Sequence, residues 1–137
     1  MNIKLKALKK SIWVFHVAAA SCNNCDIEIL AALTPRFDVE RFGILLVGSP
    51  RHADALLVTG VLNRKSLPRV LEVYKQTPKP CLVIAVGTCA CDCHMFKDSY
   101  NVVGPYDRHL PVDVYIPGCP PRPEAIIAGV VKALSKL

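Results

Sequence analysis

Four short segments of this chain are apolar almost without interruption: residues 11–17 (SIWVFHV), 55–59 (ALLVT), 81–86 (CLVIAV) and 112–116 (VDVYI). Runs of this length, rich in β-branched and aromatic residues, read as strands. A shorter strand is expected at 44–47. Strands apolar on both faces must be covered on both faces, which is the condition of a parallel sheet. The segments between them supply the cover. Asp26 is placed to cap a helix carrying Ile27, Leu30, Ala31 and Leu33, and Pro35 ends it. Residues 66–77 put Leu67, Val70, Leu71 and Tyr74 on one helical face. A last helix opens at Pro123 and runs over 124–137. Strands alternating with helices predict one doubly wound α/β domain with a mostly parallel sheet and helices on both faces. Residues 18–24, 48–54 (GSPRHAD), 87–95 and 117–123 (PGCPPRP) read as loops.

The length of 137 residues fits a single domain and buries a core without needing disulfides. Hydrophobic residues make up 52% of the chain, which excludes a disordered protein. That share exceeds the ~45–50% usual for a free-standing domain, so part of the surface is expected to be buried against another molecule. The first ten residues hold Lys4, Lys6, Lys9 and Lys10. A basic start before an apolar run imitates a secretory signal. Here the run leads straight into a cysteine motif, so it reads as a strand, and disulfides are disfavoured. No run reaches the ~18–20 apolar residues of a membrane span. No basic patch interleaved with aromatics is present, so no nucleic-acid partner is expected. The basic start reads as docking to a membrane surface or an acidic partner, or as a solvated face.

The cysteines give the chemistry. Ligands of an open parallel sheet sit beyond the carboxyl ends of its strands. Cys22 and Cys25 follow the first strand, Cys89, Cys91 and Cys93 follow the third apolar strand, and Cys119 follows the fourth. Six of the seven cysteines therefore fall in loops at one edge of the sheet. Cys81 lies in a strand and reads as a small core residue. An odd number cannot pair completely within the chain. Four thiolates arriving from three loops, a pair from one and one each from the others, suit a cubane iron–sulfur cluster, and prolines stiffen the loop that carries Cys119. An all-cysteine zinc site or a redox dithiol at Cys22 and Cys25 fits the spacing too. The residues alone leave these three open.

Several motifs occur together and in order: SCNNCDIEI, ERFG, VGSPRHADALLVTG and VDVYIPGCPPRPEA. From Trp13 to the C-terminus the chain resembles the small subunit of membrane-bound, energy-converting [NiFe] hydrogenases. That subunit is related to the terminal-cluster subunit of respiratory complex I. The resemblance implies a flavodoxin-like core over residues 12–137, behind a basic segment over 1–11. It implies one [4Fe-4S] cluster, with Cys22, Cys25, Cys89 and Cys119 as the matching ligands. The chain would be a non-catalytic electron relay of an oxidoreductase complex. Its partners would be a hydrogenase large subunit with the [NiFe] site, a ferredoxin-like subunit with further clusters, and the membrane subunits of an ion-translocating module. It would lie peripherally on the cytoplasmic side of the cell membrane. Complex I proteins have adjacent cysteines at the first pair, so the CxxC spacing favours the hydrogenase branch. Two alternatives are the same relay in a nickel-free membrane oxidoreductase, reducing sulfur compounds or quinone, and a stand-alone zinc or dithiol protein.

The departures from the family pattern are local. Asn24 replaces the glycine of CNGC, and Cys93 and His94 replace two glycines after the third ligand. The Gly-Thr-Cys-Ala frame favours Cys89 over Cys91 and Cys93 as that ligand. Cys91 and Cys93 then read as neighbours that alter the cluster, respond to redox state, or only pack. Glu28 matches a family glutamate that would tune the cluster or move protons, with a solvated helix residue as the plainer reading. Arg51 and His52 would raise a nearby cluster's potential, or simply anchor their loop. His16 and His109 show no ligand pattern.

Overall fold

A computed structural model describes residues 10–136. Lys4, Lys6 and Lys9, and with them most of the expected basic segment, lie outside the described residues. Five strands form one sheet: β1 (Ile12–Ala20), β2 (Ile44–Leu46), β3 (Ala55–Gly60), β4 (Leu82–Val86) and β5 (Val114–Ile116). Every pairing is parallel, in the order β2-β1-β3-β4-β5. This is the flavodoxin-like order, whose topological switch point lies between β1 and β3. β3 and β4 are buried at every position, which is why their sequences are solidly apolar.

Among the described residues the strands are accompanied by the helices α1 (Asn24–Leu33), α2 (Leu67–Gln76), α3 (Thr88–Asp92) and α4 (Pro123–Ser135). Ile29 and Ala32 of α1 and Ile126 and Val130 of α4 pack on Ile12, Val14, Ile44 and Leu57 at one sheet face. Val70 of α2, Ala90 of α3, Tyr106 and Leu110 pack on Leu56, Val58 and Val83 at the other. The expected α/β domain, with helices on both faces, is the observed one. Gly129 lets α4 close onto Ile116, where a side chain would collide. Among the described residues, no helix is long and apolar enough to cross a membrane.

Several local expectations are corrected. β1 continues to Ala20 instead of giving way to a loop at residue 18, because Ala18 and Ala20 pair with Thr59 and Gly60. α1 begins at Asn24, and its cap position is Asn23 with φ 74°. Asp26 lies inside the first turn, and its carboxylate bonds to the sheet instead of capping. α1 is apolar on most sides, so its pattern hides which side is buried. Cys25, Ile29 and Ala32 face inward, whereas Ile27 and Leu30 are 52% and 57% exposed. The expected loop over 87–95 contains α3. Cys81 immediately precedes β4 and is half-buried.

Candidate functional site

The segments leaving β1, β4 and β5 meet beyond the carboxyl ends of the strands. There Cys22, Cys25, Cys89 and Cys119 border one cavity of about 290 Å³, together with Gly60, Thr88 and Phe96. The register of β1 on β3 shifts between Ala18 and Ala20, just where the chain turns into the Cys22 loop. Irregularities of this kind re-aim a strand end. Cys25 is buried in the first turn of α1, Cys89 is half-buried in α3, and Cys22 and Cys119 are exposed at the cavity's outer side.

Backbone bonds fix these loops to one another. The Gly87 N–H donates to Ile116 O at 2.8 Å, and Thr88 N–H donates to Gly118 O at 2.8 Å. The Gly118 N–H donates in turn to Thr88 Oγ1 at 3.1 Å. Cys89 and Cys119 each follow one end of this pair of bonds. Gly87, at φ +91°, faces Cys25, and a Cβ there would lie 2.6 Å from the Cys25 Sγ. The missing side chain is the space the thiol occupies.

Behind Cys25 lies a polar contact that the sequence pattern did not reveal. Thr59 Oγ1, fully buried on β3, donates to Asp26 Oδ1 at 2.7 Å. His16 Nε2 on β1 lies 2.8 Å from the same carboxylate oxygen and 3.0 Å from Thr59 Oγ1. Tyr106 Oη donates to the Thr59 carbonyl at 3.3 Å. α1 has no side-chain cap bond, so this contact ties its first turn to β1 and β3. The one signal in the sequence was a histidine inside an otherwise apolar strand.

The thiols are electrostatically poor neighbours. Burial pushes the Cys25 thiol up to about 11, and Cys22, Asp26, Cys89 and Cys119 push it the same way. Cys89 is also raised, by burial first and then by Cys119 and Cys22. Four thiolates brought together here need a positive core to offset their repulsion. Zinc would draw its thiolates in to ~2.3 Å and fill far less than this cavity. Among the described residues, no three Cys, His, Asp or Glu side chains are grouped as a single-ion site. An all-sulfur donor set around a cavity of this size suits a thiolate-held iron–sulfur cluster.

The remaining expected residues are spread out. Cys91 and Cys93 do not border this cavity. They line a second one of about 320 Å³, with Asp92, Lys97, Asp107 and Arg108. Cys93 and His94 have φ 67° and 45°, the left-handed region that favours glycine. The backbone there keeps a glycine-like shape although the residues have changed, and Asp92 Oδ1 supports it by accepting from the His94 N–H at 3.0 Å. Glu28 is half-buried on α1 and does not border the cavity. Arg51 and His52 are exposed on the short turn Pro50–His52. That turn precedes β3, whose far end, Gly60, borders the cavity. His109 Nε2 lies 3.4 Å from Val103 O.

Known proteins resemble this chain closely. It is 61% identical to the probable membrane-bound hydrogenase subunit mbhJ of Pyrococcus furiosus, over 96% of this chain and 79% of that one. It is 47% identical to formate hydrogenlyase subunit 7 of Escherichia coli, covering 97% of this chain but 52% of that protein. It is 46% identical to an NADH-quinone oxidoreductase subunit of Geotalea daltonii, over 96% of this chain and 75% of that one. A chain in the structure of the membrane-bound sulfane sulfur reductase, an archaeal respiratory membrane complex, superposes with a TM-score of 0.85 at 40% identity, covering 97% of this chain and 73% of that one. An NAD+-reducing [NiFe]-hydrogenase chain shares the fold, with a TM-score of 0.68 at 20% identity over 92% of each chain. These relatives are subunits of oxidoreductase complexes, two of them named as membrane-bound, as expected of a non-catalytic subunit. Residues 22–133, which span all four cavity-lining cysteines, match the family described as NADH ubiquinone oxidoreductase, 20 Kd subunit, and the chain belongs to that family.

Proposed function

We propose that this chain holds one [4Fe-4S] cluster on Cys22, Cys25, Cys89 and Cys119 and relays single electrons within a membrane-bound, ion-translocating hydrogenase complex. The observation that carries this reading is the single cavity ringed by those four thiols. The electrons would pass between clusters of a ferredoxin-like subunit and a [NiFe] site in a large subunit, where H2 is formed or consumed. The CxxC spacing and the 61% identity to the Pyrococcus hydrogenase subunit support the hydrogenase branch.

When bound, the cluster supplies one-electron redox chemistry at a potential set by its surroundings. The chain's own residues do the rest. Cys25 and Cys89 hold the buried side, from α1 and α3. Cys22 and Cys119 hold the open side, which a partner approaches. Val61, Phe96 and Pro120 present apolar surface to the cavity and limit water. Glu28, half-buried one turn beyond Cys25, is placed to tune the site. Arg51 and His52 lie at the other end of β3, which has six residues and so spans roughly 20 Å at ~3.3 Å each. Exposed charges at that distance are largely screened, so loop anchoring is the favoured reading for them. Residues 12–137 form the electron-transfer domain. The basic segment 1–11 would dock to membrane subunits or the anionic membrane surface, on the cytoplasmic side.

The test uses the purified complex. Chemical reduction is expected to give a cubane-type EPR signal, and Cys119→Ser to abolish or alter it. Unchanged iron content and spectrum in that variant would overturn the assignment. Zinc in a colourless chain that purifies without partners would establish the stand-alone zinc reading instead. The likeness to the sulfane sulfur reductase at 40% identity favours one second reading, the same relay in a nickel-free complex. Nickel in the co-purified large subunit, with two CxxC pairs in its sequence, separates the two.

A further inference from the structure

We infer that the sheet face over β2 and the start of β1 receives an amphipathic helix with an acidic edge, contributed by a partner subunit. A doubly wound sheet carries a helix in each crossover. Between β2 and β3 this chain has only residues 47–54, with the three-residue turn Pro50–His52. α1 and α4 cover the first face of β1, where Ile12 and Val14 are 1% exposed. On the second face, among the described residues, no helix covers Trp13 and Leu45.

The bare face is apolar. Trp13 pairs with Leu45 in register, so both project to the side opposite Ile12, Val14 and Ile44. They are 42% and 40% exposed, unusual for adjacent large apolar residues on a sheet. Beside them runs a groove of about 480 Å³ between β1 and α2. Phe15, Val17 and Ala19 border it from β1, and Val70 and Val73 from α2. Lys65 and Arg69 stand on its wall, and no carboxylate lines the groove itself among the described residues. Arg69 is paired with Glu72 at 3.1 Å on the exposed side of α2, and Asp54 accepts from the Trp13 N–H, so among the described residues Lys65 is the wall's unpaired cation.

This charge decides the occupant. The chain's own first residues carry Lys4, Lys6 and Lys9, and a second copy would bring a net charge of +6; both are repelled by a basic wall. A flat bilayer does not reach a concave floor. A helix is ~10–12 Å across and takes the place of the absent crossover helix. Its apolar stripe would cover Trp13, Phe15 and Leu45, with Asp or Glu toward Lys65 and Arg69. This inference rests on membership of a multi-subunit family and not on the cluster assignment, so either can fail alone.

The experiment places a photo-reactive residue at Val73 in the assembled, purified complex and identifies the adduct by mass spectrometry. The expected adduct lies in another subunit, in a segment with apolar residues at helical spacing and acidic residues along one edge. An adduct to residues 1–9, to a second copy or to lipid overturns the proposal, as does none at all. In parallel, Lys65→Glu with Arg69→Gln is expected to release that subunit from the complex while the thermal unfolding of this chain shifts only by the small amount that the exposed Arg69–Glu72 pair contributes; undiminished retention overturns the proposal. Should the double variant fail to fold, Lys65→Gln is read by the salt concentration that dissociates the subunit. That concentration is expected to fall, and an unchanged value overturns the proposal.

Discussion

The α-carbon of Gly87 stands so close to the thiol of Cys25 that any β-carbon there would lie 2.6 Å from the sulfur. The contact joins the end of β4 to the first turn of α1, across the mouth of β3. It gives the glycine that precedes Thr88-Cys89 a specific task, which is to leave room for the one thiol of the cavity that is buried. Together with the bonds between Thr88 and Gly118, it makes three separate loops into one frame.

Gly87→Ala therefore carries two costs. The backbone there, at φ 91° and ψ 151°, is a region that only glycine occupies readily, which costs on the order of 1–3 kcal/mol for alanine. The new methyl also displaces Cys25. The melting temperature is expected to fall and iron per chain to drop with it. A variant that melts like the parent and keeps its iron would show that the contact does not matter.

Thr59→Val tests the tie behind Cys25. The substitution keeps the shape at a fully buried position but removes the donor to Asp26 Oδ1. Asp26 keeps His16 and loses a charge-assisted bond, which is worth about 1.5–3 kcal/mol. Chemical denaturation should show a lower midpoint with an unchanged slope. An unmoved midpoint would mean that His16 alone holds the carboxylate.

The sheet was legible where burial is symmetrical. β3 and β4 are flanked on both sides, so their apolar runs announce them. The clustering of Cys22, Cys25, Cys89 and Cys119 also followed from topology, because each comes just after a strand and strand ends converge. Other features depend on residues distant in the chain. Ala18 and Ala20 have little strand preference and extend β1 only by pairing with Thr59 and Gly60. Asp26 looks like a cap by its type, but its partner Thr59 lies 33 positions away. Ile27 and Leu30 look like core and are exposed, because α1 is apolar on most sides and only tertiary packing selects the buried one. The left-handed turn at Cys93 and His94 was hidden because neither residue is glycine.

Three thiols whose ionisation burial opposes predict a pH response for the metal-free chain. Cys25, Cys81 and Cys91 are each raised from the ordinary 9.0 to about 11, chiefly by burial. The folded state thus holds these protons more tightly than the unfolded one. The stabilisation is complete below pH 9 and is lost as pH climbs through 11. Denaturant midpoints at pH 9 and near pH 11 should differ, with the alkaline one lower. Replacing Cys81 by Val and Cys91 by Ala should shrink that difference. Equal midpoints would mean that the thiols ionise as freely folded as unfolded.

Cys89 and Cys91 sit two residues apart on the same short helix, α3, and only Cys89 borders the cavity of the four thiols. Alanine at either position keeps the helix, since it is the strongest helix former, so any damage to α3 itself would strike both variants alike. The difference between the variants therefore isolates ligation. Cys91→Ala is expected to retain full iron content and an unchanged EPR signal, because Cys91 opens onto the second cavity with Asp92 and Arg108. Cys89→Ala is expected to lose iron and signal together. The reverse pattern would move the third ligand to Cys91 and would require α3 to turn when the cluster binds.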